Sequence, residues 1–340
     1  MTDLARSRAP EVPRRYGNGL IGDICNAHER WLVVTNPEAW ALVYPQFHRL
    51  PHFVHHAETM EEGPLTRAAS GLPVVDAVLG VGGGTVMDFA KFVAWRRDVP
   101  LVLAPSVVSV DACLTESIAV RRAGRVHYLG EVYPREVVVD FDVVCAGPPA
   151  LNRAGAGDIL SIHTALFDWK LAASRGRAVF DEEIAREAGA LVDKLMSRAD
   201  DLREARPQGI VALVELFWAE VMLCRRARSS RPEEGSEHFW AYNLEYRAGR
   251  GFVHGELVAL GILLMSALQN NDLAGIRERI ETLGIRWRPH ELEIEPTLLL
   301  RSLTTARSYA RQEQLAYSIL SESEIDDAEA ARLVEDVSRA

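Results

Sequence analysis

The 340-residue sequence predicts an α/β domain built on a mostly parallel sheet, followed by an all-α domain. Three observations carry this. Over residues 1-147, short apolar runs rich in β-branched residues alternate with helical stretches, the pattern of strands joined by crossover helices. At Gly80 to Gly84 one such run breaks into glycines and passes straight into a helix. After Pro148-Pro149 strand signals largely vanish, and segments with apolar residues at helical spacing fill 148-340.

The elements follow in order. Met1 to Arg15 lacks the apolar stretch of a signal peptide, and its first dozen residues are expected to fray. Trp31 to Thr35 reads as a strand, ended by Asn36-Pro37, with Pro37 opening a helix through Tyr44. His52 to His56 is the next strand. Asp76 to Leu79 is the third; Thr85 then offers an N-cap for a helix from Val86 to Ala94. Pro100 to Ala104, Val126 to Leu129 and Glu136 to Asp140 complete the sheet. Ligands of such sheets gather at the carboxyl ends of the strands. Asn36, the glycine turn and Pro105 to Asp111 all fall there. The helical half divides into Asp158 to Ser174, Asp181 to Ala199, Ile210 to Arg225, Glu237 to Arg247, Gly255 to Gln269, Asp272 to Leu283, Pro296 to Ser308 and Asp326 to Ser338. Arg225 to Arg231 reads as a basic surface loop.

Composition narrows the function classes. Hydrophobic residues make up 48% and charged residues 25%, as in an ordinary globular protein. A net charge of -10 argues against nucleic acid or an anionic membrane as partner. Cys25, Cys113, Cys145 and Cys224 form no C-x-x-C pair, so they read as reduced thiols in a cytoplasmic protein rather than a zinc knuckle. No run of 18 or more apolar residues is seen, so no transmembrane helix is expected.

Two regions offer chemistry. Strand, glycine turn and helix start form an anion site, because glycines let the backbone approach closely and the helix N-terminus presents free N–H groups. Gly80-Val81-Gly82-Gly83-Gly84-Thr85 places Thr where G-x-G-x-x-G has its third Gly, so phosphate cradle and plain turn both stay open. In the helical half, Gly155-Ala156-Gly157-Asp158 reads equally as a helix cap or as a metal ligand. His238 and His254, at successive helix ends around a break holding Gly249 and Gly251, could join it. One carboxylate and two imidazoles leave a position open on a divalent metal, as in catalytic sites. His163 lies five residues past Asp158, off its face, and reads as a packing residue; His127, His163 and His290 are the substitutes.

These motifs in series resemble the metal-dependent polyol dehydrogenases. The resemblance rests on Gly82 to Lys91, Gly155 to Asp158 with Thr164 to Ala172, Ser236-Glu237-His238 and His254-Gly255-Glu256. Within that superfamily the chain is most similar to the glycerol-1-phosphate dehydrogenase branch; glycerol dehydrogenase and dehydroquinate synthase are wider relatives. The resemblance implies a Rossmann-like domain over 1-147 and a helical metal- and substrate-binding domain over 148-340, the dehydroquinate synthase-like fold. It implies NAD or NADP with its pyrophosphate on Gly82, Gly83 and Gly84, and with Asn36, Thr85, Asp88, Ser106, Ser109 and Thr115 around the cofactor. It assigns Asp158, His238 and His254 to zinc, with ferrous iron or another divalent metal as substitute, and places Asp111 beside the substrate. The implied reaction interconverts a secondary alcohol and a ketone of a small polyol or polyol phosphate, in a cytoplasmic homo-oligomer. Asp158 stands where dehydroquinate synthases carry Glu, which favours the dehydrogenases over a sugar-phosphate cyclase. One segment departs from the branch. Where its members usually read Pro-Thr-x-x-Ser-His-Asp-Gly, this chain reads Pro105-Ser106-Val107-Val108-Ser109-Val110-Asp111-Ala112.

Overall fold

The computed structural model describes residues 11–339. The chain forms two compact units. The first runs to Val107 and resumes over Ala112–Gly147; the second takes Val108–Asp111 and everything from Pro148. The grouping changes at Gly147 and Pro148, and four residues beyond the fifth strand fall with the helices.

Eight strands belong to the first unit: β1 (Arg14–Gly17), β2 (Trp31–Thr35), β3 (Phe53–His56), β4 (Ala77–Gly82), β5 (Leu101–Pro105), β6 (Ser117–Arg122), β7 (Arg125–Glu131) and β8 (Glu136–Asp140). Six make one sheet in the order β1-β8-β5-β4-β2-β3, every pair parallel. Every residue of β2, β4 and β5 is buried. That fits parallel strands covered on both faces, which read as continuous apolar runs rather than alternating ones. β4 lies between β5 and β2, with Val33 opposite Leu79 and Val78 opposite Leu101. The glycine turn after β4 thus sits mid-sheet.

The structure differs from expectation at three strands. β1 was not anticipated: Arg14-Arg15-Tyr16-Gly17 is too polar to read as a strand, yet it pairs with β8 at the sheet edge. β6 was also missed. Val126 to Leu129 lies in β7, which pairs with β6 as a separate antiparallel hairpin and adds nothing to the main sheet. The fraying expected of the first dozen residues falls mostly on residues outside the described ones; Val12 within them is buried.

Helices α1 (Pro37–Val43), α2 (Glu62–Ser70), α3 (Gly84–Arg97) and α4 (Phe141–Val144) complete this unit. The second unit is helical: α5 (Pro149–Ala154), α6 (Ala156–Ser174), α7 (Glu182–Met196), α8 (Ala199–Arg203), α9 (Pro207–Ala227), α10 (Ser236–Ala248), α11 (His254–Gln269), α12 (Leu273–Leu283), α13 (Pro296–Thr304), α14 (Ala306–Gln312), α15 (Ile319–Glu322) and α16 (Asp327–Arg339). Their starts follow capping rules. Asp181 accepts from the N–H groups of Glu183 and Ile184, Asp272 from Gly275, and Pro207 and Pro296 open α9 and α13. α11, apolar almost all round and almost wholly buried, packs against α6, α10, α12 and α16.

One helix bears on the membrane reading, and one further expectation is corrected. α9 is long and apolar enough to cross a membrane by length and composition. It packs on α6, α7 and α8 and buries Glu220, so it is a core helix of this unit. The segment Arg225 to Arg231 is not one surface loop. Arg225 and Arg226 continue α9, and buried Arg231 donates to the Tyr317 carbonyl at 2.6 Å.

Candidate metal centre and glycine turn

α5 runs into α6 with almost no break, because Gly155 keeps helical dihedrals (φ -58°, ψ -27°). Asp158 therefore sits inside the first turn of α6, not at its cap, and no side chain caps that helix. The capping explanation of Asp158 fails. Its Oδ1 is instead buried without a hydrogen bond and lies 3.5 Å from His254 Nε2.

Two glycines bring these groups together. A Cβ on Gly157 would collide with the Gly255 carbonyl oxygen, and one on Gly255 with that of Ala154. The starts of α6 and α11 thus touch backbone to backbone, which carries Asp158 and His254 into reach. His238 joins them from the first turn of α10. One donor atom from each residue lies within 4.8 Å of the other two. The rings of His238 and His254 are 5.1 Å apart between centroids.

Several carboxylates crowd this cluster. Burial pushes the Asp158 carboxyl up to about 8, with His238 opposing and Asp111 adding to the rise. Burial works against a charged His238, yet the hydrogen bond to Glu237 and the carboxylates of Glu237, Glu234 and Asp158 lift the ring to about 9. Glu233 is pushed up to about 8 by burial and by Asp111, and Glu220 is raised by burial and by Glu233. Glu220 Oε1, like Asp158 Oδ1, is buried without a hydrogen bond. Orphaned carboxylate oxygens, crowded carboxyl groups and an O,N,N donor set fit a divalent transition metal.

Asp111 reaches this region through the short segment Val108–Asp111. That segment is pinned where Val108 N–H donates to Asn152 Oδ1 at 2.8 Å, and a Cβ on Gly155 would strike the Val108 carbonyl oxygen. Ser109 lies on the same segment. The three alternative histidines are elsewhere. His163 Nε2 bonds the Asn271 carbonyl at 2.8 Å, His127 lies in β7 and His290 in the loop before α13.

In the first unit, Gly83 is the N-cap residue of α3, in extended backbone and without a side-chain cap. Thr85 is not the cap; it is the second residue of α3 and exposed. Gly82 is required by packing, since a Cβ there would lie 2.5 Å from Val86 Cγ2. Gly83 is different: an added Cβ would meet only Val107 Cγ2, at 3.5 Å. Packing among the described residues does not demand glycine at that position, and a helix start whose first-turn N–H groups lack a side-chain cap is the kind of place that receives an anion. Ser106 N–H donates to the Gly82 carbonyl at 2.9 Å. Asn36, at the end of the adjacent β2, caps α1 by accepting from Ala39 N–H at 2.9 Å.

Asp88 and Thr115 have local work. Asp88 pairs with Lys91 at 2.7 Å and accepts from Ala119 N–H at 3.2 Å, while Lys91 donates to the Ser117 carbonyl at 2.5 Å. Burial raises the Asp88 carboxyl and Lys91 counteracts. The pair ties α3 to β6. Thr115 Oγ1 accepts from Ser117 N–H at 3.4 Å. Sequence reasoning overlooked Gly157 and Gly255 as contact residues, and Glu237 beside His238. The spacing Gly157-Asp158 against His254-Gly255, a glycine next to each donor, was the available signal.

Residues 45–148 match the family model of the iron-containing alcohol dehydrogenases. A glycerol-1-phosphate dehydrogenase [NAD(P)+] of Hyperthermus butylicus is 31% identical over 340 residues, spanning 95% of this chain and 96% of that protein. One from Pyrococcus furiosus is 27% identical, spanning 88% and 90%. Among solved structures, a probable glycerol dehydrogenase from Sinorhizobium meliloti 1021 superposes with a TM-score of 0.72 at 20% identity, covering 98% of this chain and all of that one. A butanol dehydrogenase from Thermotoga maritima gives 0.68 at 15% identity, with 97% and 98% covered. The chain belongs to the iron-containing alcohol dehydrogenase family, in the branch of the glycerol-1-phosphate dehydrogenases.

Proposed function

We propose that this protein is a zinc-dependent, NAD(P)-linked oxidoreductase that interconverts a secondary alcohol and a ketone of a small polyol or polyol phosphate. It is an oxidoreductase acting on CH–OH, as its relatives are named. The observation that carries the metal reading is the convergence of Asp158, His238 and His254. The dehydrogenase relatives favour this reaction over the cyclase. A cytoplasmic homo-oligomer working on small molecules completes the proposal.

Bound zinc supplies a Lewis acid for the alcohol oxygen, and the nicotinamide takes or gives the hydride. The chain's own residues do the placing. Asp158 Oδ1 and one ring nitrogen each from His238 and His254 would hold the metal. Three protein donors are the number that leaves room for substrate. The N–H groups behind Gly83 and Gly84 receive the pyrophosphate, flanked by Gly82 and Thr85. Asn36 stands toward the ribose; Asp88 supports the turn through α3. Ser106, Ser109, Asp111 and Thr115 border nicotinamide and substrate, and Val110 and Ala112 set this chain's specificity apart from its branch.

The test is NADH and NADPH oxidation by zinc-loaded protein with dihydroxyacetone phosphate and with dihydroxyacetone. Turnover that stops with chelator and in His254→Ala is expected. Full activity in an Asp158→Ala/His254→Ala variant would remove the metal assignment. Failure with every three-carbon ketone would remove the substrate class.

A further inference from the structure

We infer that Glu237 is the positioning residue that fixes His238 as an Nε2 ligand, holding its Nδ1–H from behind in a buried hydrogen-bond cradle. The inference rests on the metal reading given above.

Glu237 has no exposed surface, and its carboxylate is surrounded by donors. Oε1 accepts from Gly235 N–H at 2.7 Å and bonds His238 Nδ1 at 2.8 Å. Oε2 accepts from Thr164 Oγ1 at 2.7 Å. The backbone N–H of Gly235 is an obligate donor, so Oε1 is an acceptor there. An acceptor oxygen requires that His238 Nδ1 carry the hydrogen. With Nδ1 carrying its hydrogen toward Glu237, Nε2 is the ring nitrogen left to bind a metal.

The packing holds this carboxylate still. A Cβ on Gly235 would lie 2.9 Å from Ala165 Cα and 3.0 Å from Glu237 Oε2, and one on Gly261 would lie 2.8 Å from the Glu237 carbonyl oxygen. α6 supplies Thr164 and α11 supplies Gly261, so both helices bearing the other metal donors also press on Glu237. Nearby, Asp168 accepts from Ser236 N–H at 2.7 Å, and Gln269 Nε2 reaches both Ser236 Oγ and the Thr164 carbonyl at 3.3 Å. A solvated glutamate on a helix surface has no such surroundings.

The experiment measures zinc dissociation constants by chelator competition on metal-stripped full-length protein, with thermal melts of the metal-free forms alongside. Glu237→Ala is expected to weaken zinc binding about 10- to 100-fold, the usual effect of losing such a partner. Glu237→Gln keeps an acceptor for Gly235 and His238 and turns its amide toward Thr164, so it is expected to recover most of that loss. Thr164→Val, which leaves the carboxylate in place, is expected to weaken zinc only a few-fold. Zinc affinities unchanged in Glu237→Ala overturn the proposal while His254→Ala still abolishes binding, which leaves the metal site standing. Equal losses in the Gln and Ala variants, tracking lower melting temperature, also overturn it by showing a structural role alone. Wild-type protein that binds no zinc removes both readings.

Discussion

At the residue scale, the three donors pose a protonation problem that the metal resolves. Metal binding requires Asp158 ionised and one nitrogen of each imidazole bare. Without metal, Asp158 holds its proton up to about 8 and His238 stays charged up to about 9. A divalent metal held by these residues would displace protons at neutral pH. Zinc affinity is therefore expected to rise with pH through this window and level off above it, with protons released on binding. Titration calorimetry in buffers of different ionisation enthalpy reads that release; binding with no proton release contradicts the assignment. Stability moves the opposite way in the metal-free protein. Both groups have folded pKa values raised above their ordinary 3.8 and 6.5. What they contribute is present below those ordinary values and is lost as pH climbs through about 8 and about 9. The melting temperature of metal-free protein is expected to fall over that range, and zinc-loaded protein is expected to resist the fall.

At the scale of elements, close backbone contact between helices decides whether the donors meet. Gly157→Ala forces α6 from α11, Gly255→Ala forces α11 from the end of α5, and both are expected to abolish zinc binding. Gly189, inside α7, is the contrast: an added Cβ would touch only Leu166 Cδ1, at 4.0 Å. Gly189→Ala is expected to stabilise the protein by about 0.5–1 kcal/mol with zinc binding unchanged, measured by denaturant melts. The Lys91–Asp88 pair offers a second element-level test. Lys91→Met leaves buried Asp88 uncompensated and is expected to cost about 3–5 kcal/mol. Adding Asp88→Asn, which can still accept from Ala119, is expected to recover part of it; a double variant weaker than the single one contradicts the pairing argument. These cases mark what was legible in the sequence. The helices were, because Asp181, Asp272, Pro207 and Pro296 announce their starts locally. Asp158, His238 and His254 were readable as residues that could converge, but the contact that brings two of them together was not, since only Gly157 and Gly255 betray it and a glycine before a helix looks like a cap. β1 was hidden because its pairing with β8 is non-local and its four residues carry two arginines. Thr85 misled because a hydroxyl usually outranks glycine at an N-cap, whereas Gly83 takes that position in extended backbone.

At the scale of the whole molecule, the donors come from three helices far apart in sequence, α6, α10 and α11, whose other faces form the centre of the helical unit. A ligand bridging them acts on the folded state alone. Free zinc at a hundred times its dissociation constant stabilises by about 2.7 kcal/mol. For a unit of this size that corresponds to about 5–11 °C in melting temperature. The effect has a location as well as a size. Local opening of a helix end breaks a metal bond only if that end carries a donor, so zinc raises the opening free energy most where the donors sit. Hydrogen exchange is therefore expected to slow most in the first turns of α6, α10 and α11, and least in α7 and α16, which carry none of the three residues. NADH alone is expected to protect a different place, the first turn of α3 behind Gly83, whose N–H groups have no side-chain cap. His254→Ala is expected to erase the zinc pattern and leave the NADH pattern. Zinc protection spread evenly over all the helices would mean that the metal does not bridge these three, and NADH protection absent from α3 would mean that the glycine turn is only a turn.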